Sequence, residues 1–148
     1  MPESNDPTPA LGVPSSLRRR RWWSTRRVVV RDESMLPALR PGDRLLVDRH
    51  AYRGRAPHVG EIVVVADPEE PSRWLVKRVA RILLSSDPTA AGVAIRSPSV
   101  DGNEGFVFVL SDAPGPTRDS RTFGPVAVDR LIGHAYRRYF PADRRGPL

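Results

Sequence analysis

Short apolar runs separated by turn residues dominate this sequence and restrict the folds that it can adopt. The longest candidates cover only residues 28–30 and 62–66. Such runs have the length of strands and fall far below the roughly 18 apolar residues that cross a bilayer. Pro and Gly, 16 and 11 of the 148 residues, interrupt the chain throughout. The pattern predicts a mainly β fold, made of coiled antiparallel β-sheets or a partly open barrel, with short helical turns.

The same signals predict the individual elements. We expect a turn of helix at residues 126–130 and strands at residues 27–31, 44–48, 61–66, 74–84, 92–96, 106–110 and 131–139. The triplet at residues 101–103, Asp-Gly-Asn, predicts a hairpin turn between two of these strands.

A length of 148 residues suits one domain. Residues 1–25 are rich in Pro, Ser and Asp and then in Arg, which predicts a disordered basic arm. We expect residues 26–141 to form the folded domain and residues 142–148 to form a flexible tail.

Composition narrows the chemistry that the chain can support. The net charge of +7 is compatible with an anionic partner, and equally with a genome that favours arginine. The chain has no cysteine, which excludes disulfides, thiolate zinc sites and cysteine nucleophiles. His50, His58 and His134 lack the close spacing of a metal site. We therefore expect neither a metal nor another cofactor.

Ser34 is the first candidate for a chemical role. It follows a predicted strand and precedes a turn that contains Pro37. A serine at such a junction is held by the sheet and yet exposed, which suits a nucleophile. Serine also caps and closes turns in many proteins, so its position alone leaves a structural role open.

Lys77 lies in a strand pattern that predicts burial. Two-residue periodicity places it on the same face as Leu75 and Val79. Burial disfavours the charged ammonium form and lowers the pKa of a lysine. A neutral amine can act as general base towards a serine hydroxyl. The alternative is a lysine whose charged end reaches solvent from the end of the strand.

A third group lies in the loop at residues 110–126. Asp119 and Arg121 can form an ion pair there, and Thr117 offers a hydroxyl that could orient an amine. A loop that only connects two strands needs no such set, whereas a loop that supports a catalytic base does.

Taken in order, these segments resemble the type I signal peptidases, a family of Ser/Lys endopeptidases. The match spans residues 28–141 and consists of Ser34-Met35-x-Pro37, Pro41-Gly42-Asp43, Gly60-Glu61-Ile62-Val63-Val64, Val76-Lys77-Arg78-Val79, Asp119-Ser120-Arg121-x-x-Gly124 and Ile132-Gly133-His134-Ala135. The resemblance implies a catalytic core of coiled antiparallel β-sheets at residues 26–141, with an apolar substrate groove.

The resemblance also implies a role for each site residue. Ser34 would attack the scissile carbonyl, with its backbone N–H meeting the oxyanion, and neutral Lys77 would take its proton. Thr117 would orient the lysine, and Asp119 and Arg121 would brace the loop. Cleavage after small residues is typical of the family.

Three departures from the family pattern are visible. The sequence shown has no membrane anchor, so we expect a cytoplasmic or peripherally membrane-associated protein. Asp32 and Glu33 precede the nucleophile, and a carboxylate aimed into the site would raise the energy of an oxyanion. Ser-Asp-Ala at residues 111–113 replaces the Gly-Asp-Asn of the family, and the short segment between residues 81 and 100 leaves no room for an extra domain.

The function expected from the sequence is therefore removal of a leader or N-terminal extension from a protein or peptide substrate. In size and layout the chain is similar to the maturation proteases of nickel-type superoxide dismutases. A peptide-binding relative with impaired catalysis is one alternative. A self-cleaving repressor similar to LexA is another, but residues 1–25 are too short for a helix-turn-helix, so we expect no nucleic-acid partner. Trp22, Trp23 and Arg18 could contact a membrane surface peripherally, although packing of one Trp against the domain is the favoured alternative because the segment is too short to anchor alone.

Overall fold

The computed structural model describes residues 24–84 and 105–148 of the chain. Eight strands occur in this part: β1 (Thr25–Val29), β2 (Arg44–Asp48), β3 (Ile62–Ala66), β4 (Trp74–Leu84), β5 (Gly105–Leu110), β6 (Val126–Ala127), β7 (Leu131–Phe140) and β8 (Gly146–Pro147). One helical turn, α1 (Ser120–Phe123), precedes β6, and 3-10 turns at Val128–Arg130 and Ala142–Arg144 flank β7. No helix in these two ranges is long and apolar enough to span a membrane.

The strands form one antiparallel sheet with the order β1-β2-β7-β3-β4-β5-β6, and β8 pairs with β7. The prediction of a mainly β, antiparallel fold is confirmed. The sheet is open and does not close into a barrel.

The predicted strands agree with the structure closely where both can be compared. β2 and β4 have the predicted bounds, whereas β1 begins two residues earlier than residue 27. The helical turn predicted at residues 126–130 is a two-residue strand followed by a 3-10 turn, because Val126 and Ala127 pair with β5. The strand at 92–96, the turn at 101–103 and the basic arm up to residue 23, which includes Arg18, Trp22 and Trp23, lie outside the described residues.

β3 lies at the centre of the sheet and explains how the core is divided. Its partners are β7 on one side and β4 on the other. Ile62 and Val64 pack into one buried cluster with residues of β1, of the turn after β1 and of β2. Val63 and Val65 pack into a second cluster with residues of β4 and β5. A strand covered on both faces needs an uninterrupted apolar run, which is why Ile-Val-Val-Val occurs here.

Asp43 connects two distant parts of the chain. Its side chain is fully buried and accepts hydrogen bonds from the backbone N–H of Arg40 at 3.0 Å and from the guanidinium groups of Arg138 and Arg144. The carboxylate therefore holds the turn between β1 and β2 against the end of β7. Residues 142–148, expected from the sequence to be a flexible tail, form a 3-10 turn and the short strand β8 because Arg144 is tied to this carboxylate.

We predict that Asp43→Ala lowers the free energy of unfolding by about 3 kcal/mol, because removal of one partner of a buried ion pair leaves the others uncompensated. Urea denaturation measures this change. Asp143→Ala is the matched control, since it removes an exposed carboxylate next to Arg144 in the terminal segment. It should change stability by less than about 0.5 kcal/mol. Equal effects of the two substitutions would contradict the role of Asp43.

Candidate active site

Ser34 begins a tight turn that follows β1. Met35 and Leu39 of this turn are both fully buried and anchor it in the hydrophobic core. The carbonyl of Ser34 accepts a hydrogen bond from the backbone N–H of Ala113 at 2.9 Å, which joins this turn to the segment after β5. Ser34 itself is partly exposed. The turn therefore holds a hydroxyl at the surface on a rigid base.

Lys77 is buried in the middle of the sheet. It lies in β4 opposite Val63 of β3, and only 2% of its surface is exposed. Its Nζ lies 2.8 Å from Ser34 Oγ and 3.0 Å from Ser111 Oγ. The structure thus places Ser34 and Lys77, two residues 43 positions apart, within hydrogen-bond distance. No carboxylate of the described residues lies within the 4.0 Å of an ion pair with Lys77.

Burial lowers the pKa of Lys77, and the positive charges of Arg73 and Arg121 lower it further. The carboxylates of Asp32 and Asp119 oppose this effect from a distance. An ammonium at this position donates to the serine hydroxyl, whereas a neutral amine can accept the hydroxyl proton. The arrangement can therefore activate Ser34 as a nucleophile once Lys77 is neutral.

Ser111 is a site residue that the sequence reasoning did not select. Arg78 of β4 pairs with Leu110, the last residue of β5. Because the two strands are antiparallel, Lys77, which precedes Arg78, comes close to Ser111, which follows Leu110. Thr117, which the family resemblance assigns to orienting the lysine, makes other contacts. Its hydroxyl donates to Asp119 at 3.1 Å and accepts from Arg121 at 3.1 Å. Of the hydroxyls in this loop, the one that contacts the amine belongs to Ser111.

Asp119 organises the loop around Ser111. The carboxylate is fully buried and accepts from the backbone N–H of Ser111 at 3.0 Å and from the guanidinium of Arg121 at 2.7 Å. It also accepts from the backbone N–H of Arg121, which caps α1. Burial opposes ionisation, but the hydrogen bonds from Arg121, Ser111 and Thr117 together hold the pKa of Asp119 well below its usual range. Asp119 and Arg121 thus form the pair expected from the sequence, and Asp119 also holds the backbone of Ser111, whose hydroxyl contacts Lys77.

Arg78 provides a second brace beside the same loop. Its side chain binds Asp112 through two hydrogen bonds, at 2.8 and 2.7 Å, and donates to the carbonyl of Gly60 at 2.8 Å. Because Asp112 follows Ser111 directly, this paired contact restrains the backbone that carries the Ser111 hydroxyl.

Asp32 lies two residues before Ser34, where a carboxylate can raise the energy of an oxyanion. Its carboxylate accepts the backbone N–H of Ser34 at 3.0 Å. Burial raises the pKa of Asp32, but the hydrogen bonds from Ser34 and the charges of Lys77 and Arg73 more than offset this, so the pKa is lowered. No arginine of the described part forms an ion pair with Asp32. The donor that an oxyanion would use is therefore engaged by a carboxylate in this structure.

A groove of about 370 Å³ lies beside this site, and Asp32, which accepts the Ser34 N–H, is the residue that connects the two. It is lined by residues 27–32 and Met35 on one side and by Ser72, Trp74 and Val76 on the other. β1 pairs only with β2, and β4 pairs with β5 only from Arg78 onward. Within the described residues, the groove thus lies between two strand edges that no other strand covers.

The described residues contain no group of three or more His, Asp or Glu side chains that could hold a metal ion.

Comparison with known proteins connects this site to a family of peptidases. The family model described as signal peptidase, peptidase S26, matches residues 18–82. A probable signal peptidase I-1 of Synechocystis is 31% identical, with 78% of this chain and 71% of the relative covered. Subunit 1b of the mitochondrial ATP-independent inner membrane protease of Arabidopsis thaliana is 36% identical, with 78% and 70% covered. Subunit 2 of the mouse mitochondrial inner membrane protease is 31% identical, with 78% and 67% covered.

The contact between Lys77 and Ser111 can be tested by NMR because Lys77 is the only lysine of the chain. We predict that Ser111→Ala shifts the side-chain signals of a lysine-labelled sample, since one of the two hydroxyls at the amine is lost. Thr117→Val removes a hydroxyl of the same loop that does not touch the amine, and it should leave these signals in place. The reverse result would assign the orienting role to Thr117.

Proposed function

The chain belongs to the signal peptidase family, peptidase S26, and on that premise we propose that it is a serine endopeptidase. In this proposal Ser34 is the nucleophile and Lys77 is the general base. The enzyme removes a leader or N-terminal extension from a protein substrate.

One observation carries the proposal above the others. The amine of a lysine with 2% exposure lies 2.8 Å from the hydroxyl of Ser34. Burying an unpaired ammonium is costly, and a lysine kept for stability alone is better placed at the surface. Burial lowers the pKa of the Lys77 amine, and the neutral amine lies next to a serine hydroxyl whose proton it can accept.

The first half of the reaction forms an acyl-enzyme. Neutral Lys77 Nζ accepts the proton of Ser34 Oγ while Oγ bonds to the scissile carbonyl carbon. The resulting ammonium then gives this proton to the leaving amine nitrogen, and the C–N bond breaks. The N-terminal part of the substrate remains as an ester on Ser34.

The second half regenerates the enzyme. Lys77, neutral again, accepts a proton from a water molecule that attacks the ester carbonyl. The bond from carbon to Ser34 Oγ breaks, and the proton returns from Lys77 to Oγ. Ser111 keeps the amine within reach of both oxygens, so it is a positioning residue for Lys77 throughout the cycle.

Stabilisation of the oxyanion requires a change at Asp32. Removal of one oxyanion-hole donor typically costs about 2.7–4 kcal/mol of transition-state stabilisation. The Ser34 N–H becomes available only when the substrate carbonyl displaces the Asp32 carboxylate. The same contact favours the alternative of a peptide-binding relative with impaired catalysis, and the variants below separate the two.

The groove beside the dyad supports an extended substrate. A peptide strand that enters it can bond to the uncovered edges of β1 and of residues 74–77 in β4, which is recognition by strand addition. The cytoplasmic or peripherally membrane-associated location expected from the sequence is part of the same proposal.

We predict that Ser34→Ala, Lys77→Met and Lys77→Arg each abolish cleavage of an extended peptide library, read by mass spectrometry. Lys77→Arg is the informative control, because a guanidinium keeps the charge and the donors but does not lose its proton in a protein. Circular dichroism should show that the fold is retained. Cleavage by purified Ser34→Ala or Lys77→Arg would contradict the dyad, whereas a wild-type protein that binds peptides without cutting them would support the impaired relative.

The pH dependence of cleavage tests the electrostatic link between Asp32 and Lys77. The rate rises with pH as Lys77 becomes neutral, and the Asp32 carboxylate raises the pKa of Lys77. We therefore predict that Asp32→Asn moves the acid limb of the pH profile of kcat/KM to lower pH. Glu33→Gln removes an exposed neighbouring charge that is not among the main contributions to the pKa of Lys77, so its profile should lie close to that of the wild type. A limb that stays in place in Asp32→Asn would refute the link.

A further inference from the structure

Two arginines line the groove next to the dyad, and a third lies beside its opposite wall. Arg27 and Arg31 belong to the wall formed by residues 27–32. Arg73 lies between Ser72 and Trp74, which line the opposite wall. The positive charge of Arg73 lowers the pKa of both Asp32 and Lys77, so this guanidinium lies within electrostatic reach of the dyad.

These three arginines differ from the others near the site in having no carboxylate. Around the dyad, Arg78, Arg118 and Arg121 each form an ion pair with an aspartate. Within residues 24–84 and 105–148, no carboxylate lies within 4.0 Å of the guanidinium groups of Arg27, Arg31 or Arg73. Arg27 lies 5.7 Å above the ring of Tyr139, which positions its charge without neutralising it.

Apolar side chains between the arginines are exposed as well. Val29 on one wall is 46% exposed and Trp74 on the other is 41% exposed. A groove with apolar surface, uncovered strand edges and unpaired positive charge fits an extended peptide better than a compact anion. The charge then decides which peptide is preferred.

We infer that the groove binds an acidic segment of the substrate on one side of the scissile bond, with carboxylates facing Arg31 and Arg73. The inference rests on the proposed peptidase function and names its substrate class. Arg31 and Arg27 precede Ser34 by three and seven residues. Because β1 ends at Val29 and the chain turns before Ser34, we expect their partners only a few positions from the scissile bond.

Asp32 restricts the substrate positions at which an acidic residue is favoured. Its carboxylate lines the end of the groove and bonds to the N–H of Ser34. An acidic substrate residue directly beside the scissile bond would meet a like charge there, which is unfavourable. Acidic residues are therefore favoured a few positions away from the cleavage point and disfavoured next to it.

Three matched peptides test the inference on the full-length protein. All carry the same cleaved centre; one has two Glu in the N-terminal flank, one has two Glu in the C-terminal flank, and one has Gln at all these positions. We expect one of the Glu peptides to exceed the Gln peptide by about 3- to 10-fold in kcat/KM, mainly through KM, since partly exposed ion pairs are individually modest. The gain should shrink at high salt, which screens exposed charges.

Substitution of arginines tests whether the higher kcat/KM of the Glu peptide depends on the groove. In Arg31→Gln combined with Arg73→Gln, the ratio of Glu to Gln peptide should fall to about one. Arg130→Gln is the control, because it removes an exposed arginine of the 3-10 turn that packs against β5, and the ratio should persist. A ratio that persists in the double variant would overturn the inference.

The outcomes also separate this inference from the function on which it rests. Equal cleavage of all three peptides by the wild type would overturn the acidic preference and leave the peptidase function intact. Cleavage of none of them, together with none in the peptide library, would instead be a failure of the proposed function.

Discussion

The burial of Lys77 beside Ser34 is the interaction on which the other features of this structure depend. A lysine with 2% exposure has lost most of its hydration, and no carboxylate of the described residues pairs with it. Its hydrogen-bond partners are two hydroxyls, at 2.8 and 3.0 Å. Hydroxyls can serve either protonation state, whereas a contacting carboxylate would hold the amine in its charged form. The site is therefore built to let the lysine be neutral.

Two buried carboxylates keep those hydroxyls in place without touching the amine. Asp43 ties the turn that carries Ser34 to Arg138 and Arg144, while Asp119 ties the backbone of Ser111 to Arg121. Each carboxylate is completely buried and each is neutralised locally by arginine. The sheet positions the base, and the two loops that meet it are fixed by ion pairs on either side.

Much of this arrangement can be predicted from the sequence, and the remainder depends on long-range geometry. Two-residue alternation is enough to place Lys77 on the buried face of β4. The role of Ser111 depends on the register between β4 and β5, which shifts at a bulge between Val79 and Arg81, and alternation within one strand does not specify such a register. The tie between Asp43 and Arg144 joins residues 101 positions apart and gives no local signal. The carboxylate of Asp32 two residues before Ser34 is visible in the sequence, but its acceptance of the Ser34 N–H depends on the conformation of the turn.

The most direct test of the account is the pKa of Lys77 in the wild-type protein. Because the chain has a single lysine, a sample labelled with ¹³C-lysine gives one side-chain Cε signal to follow against pH. We predict a titration midpoint clearly below the usual lysine value of 10.5. A midpoint at or above 10.5 would show that Lys77 stays protonated at neutral pH as firmly as an ordinary lysine, and it would contradict its assignment as the base that activates Ser34.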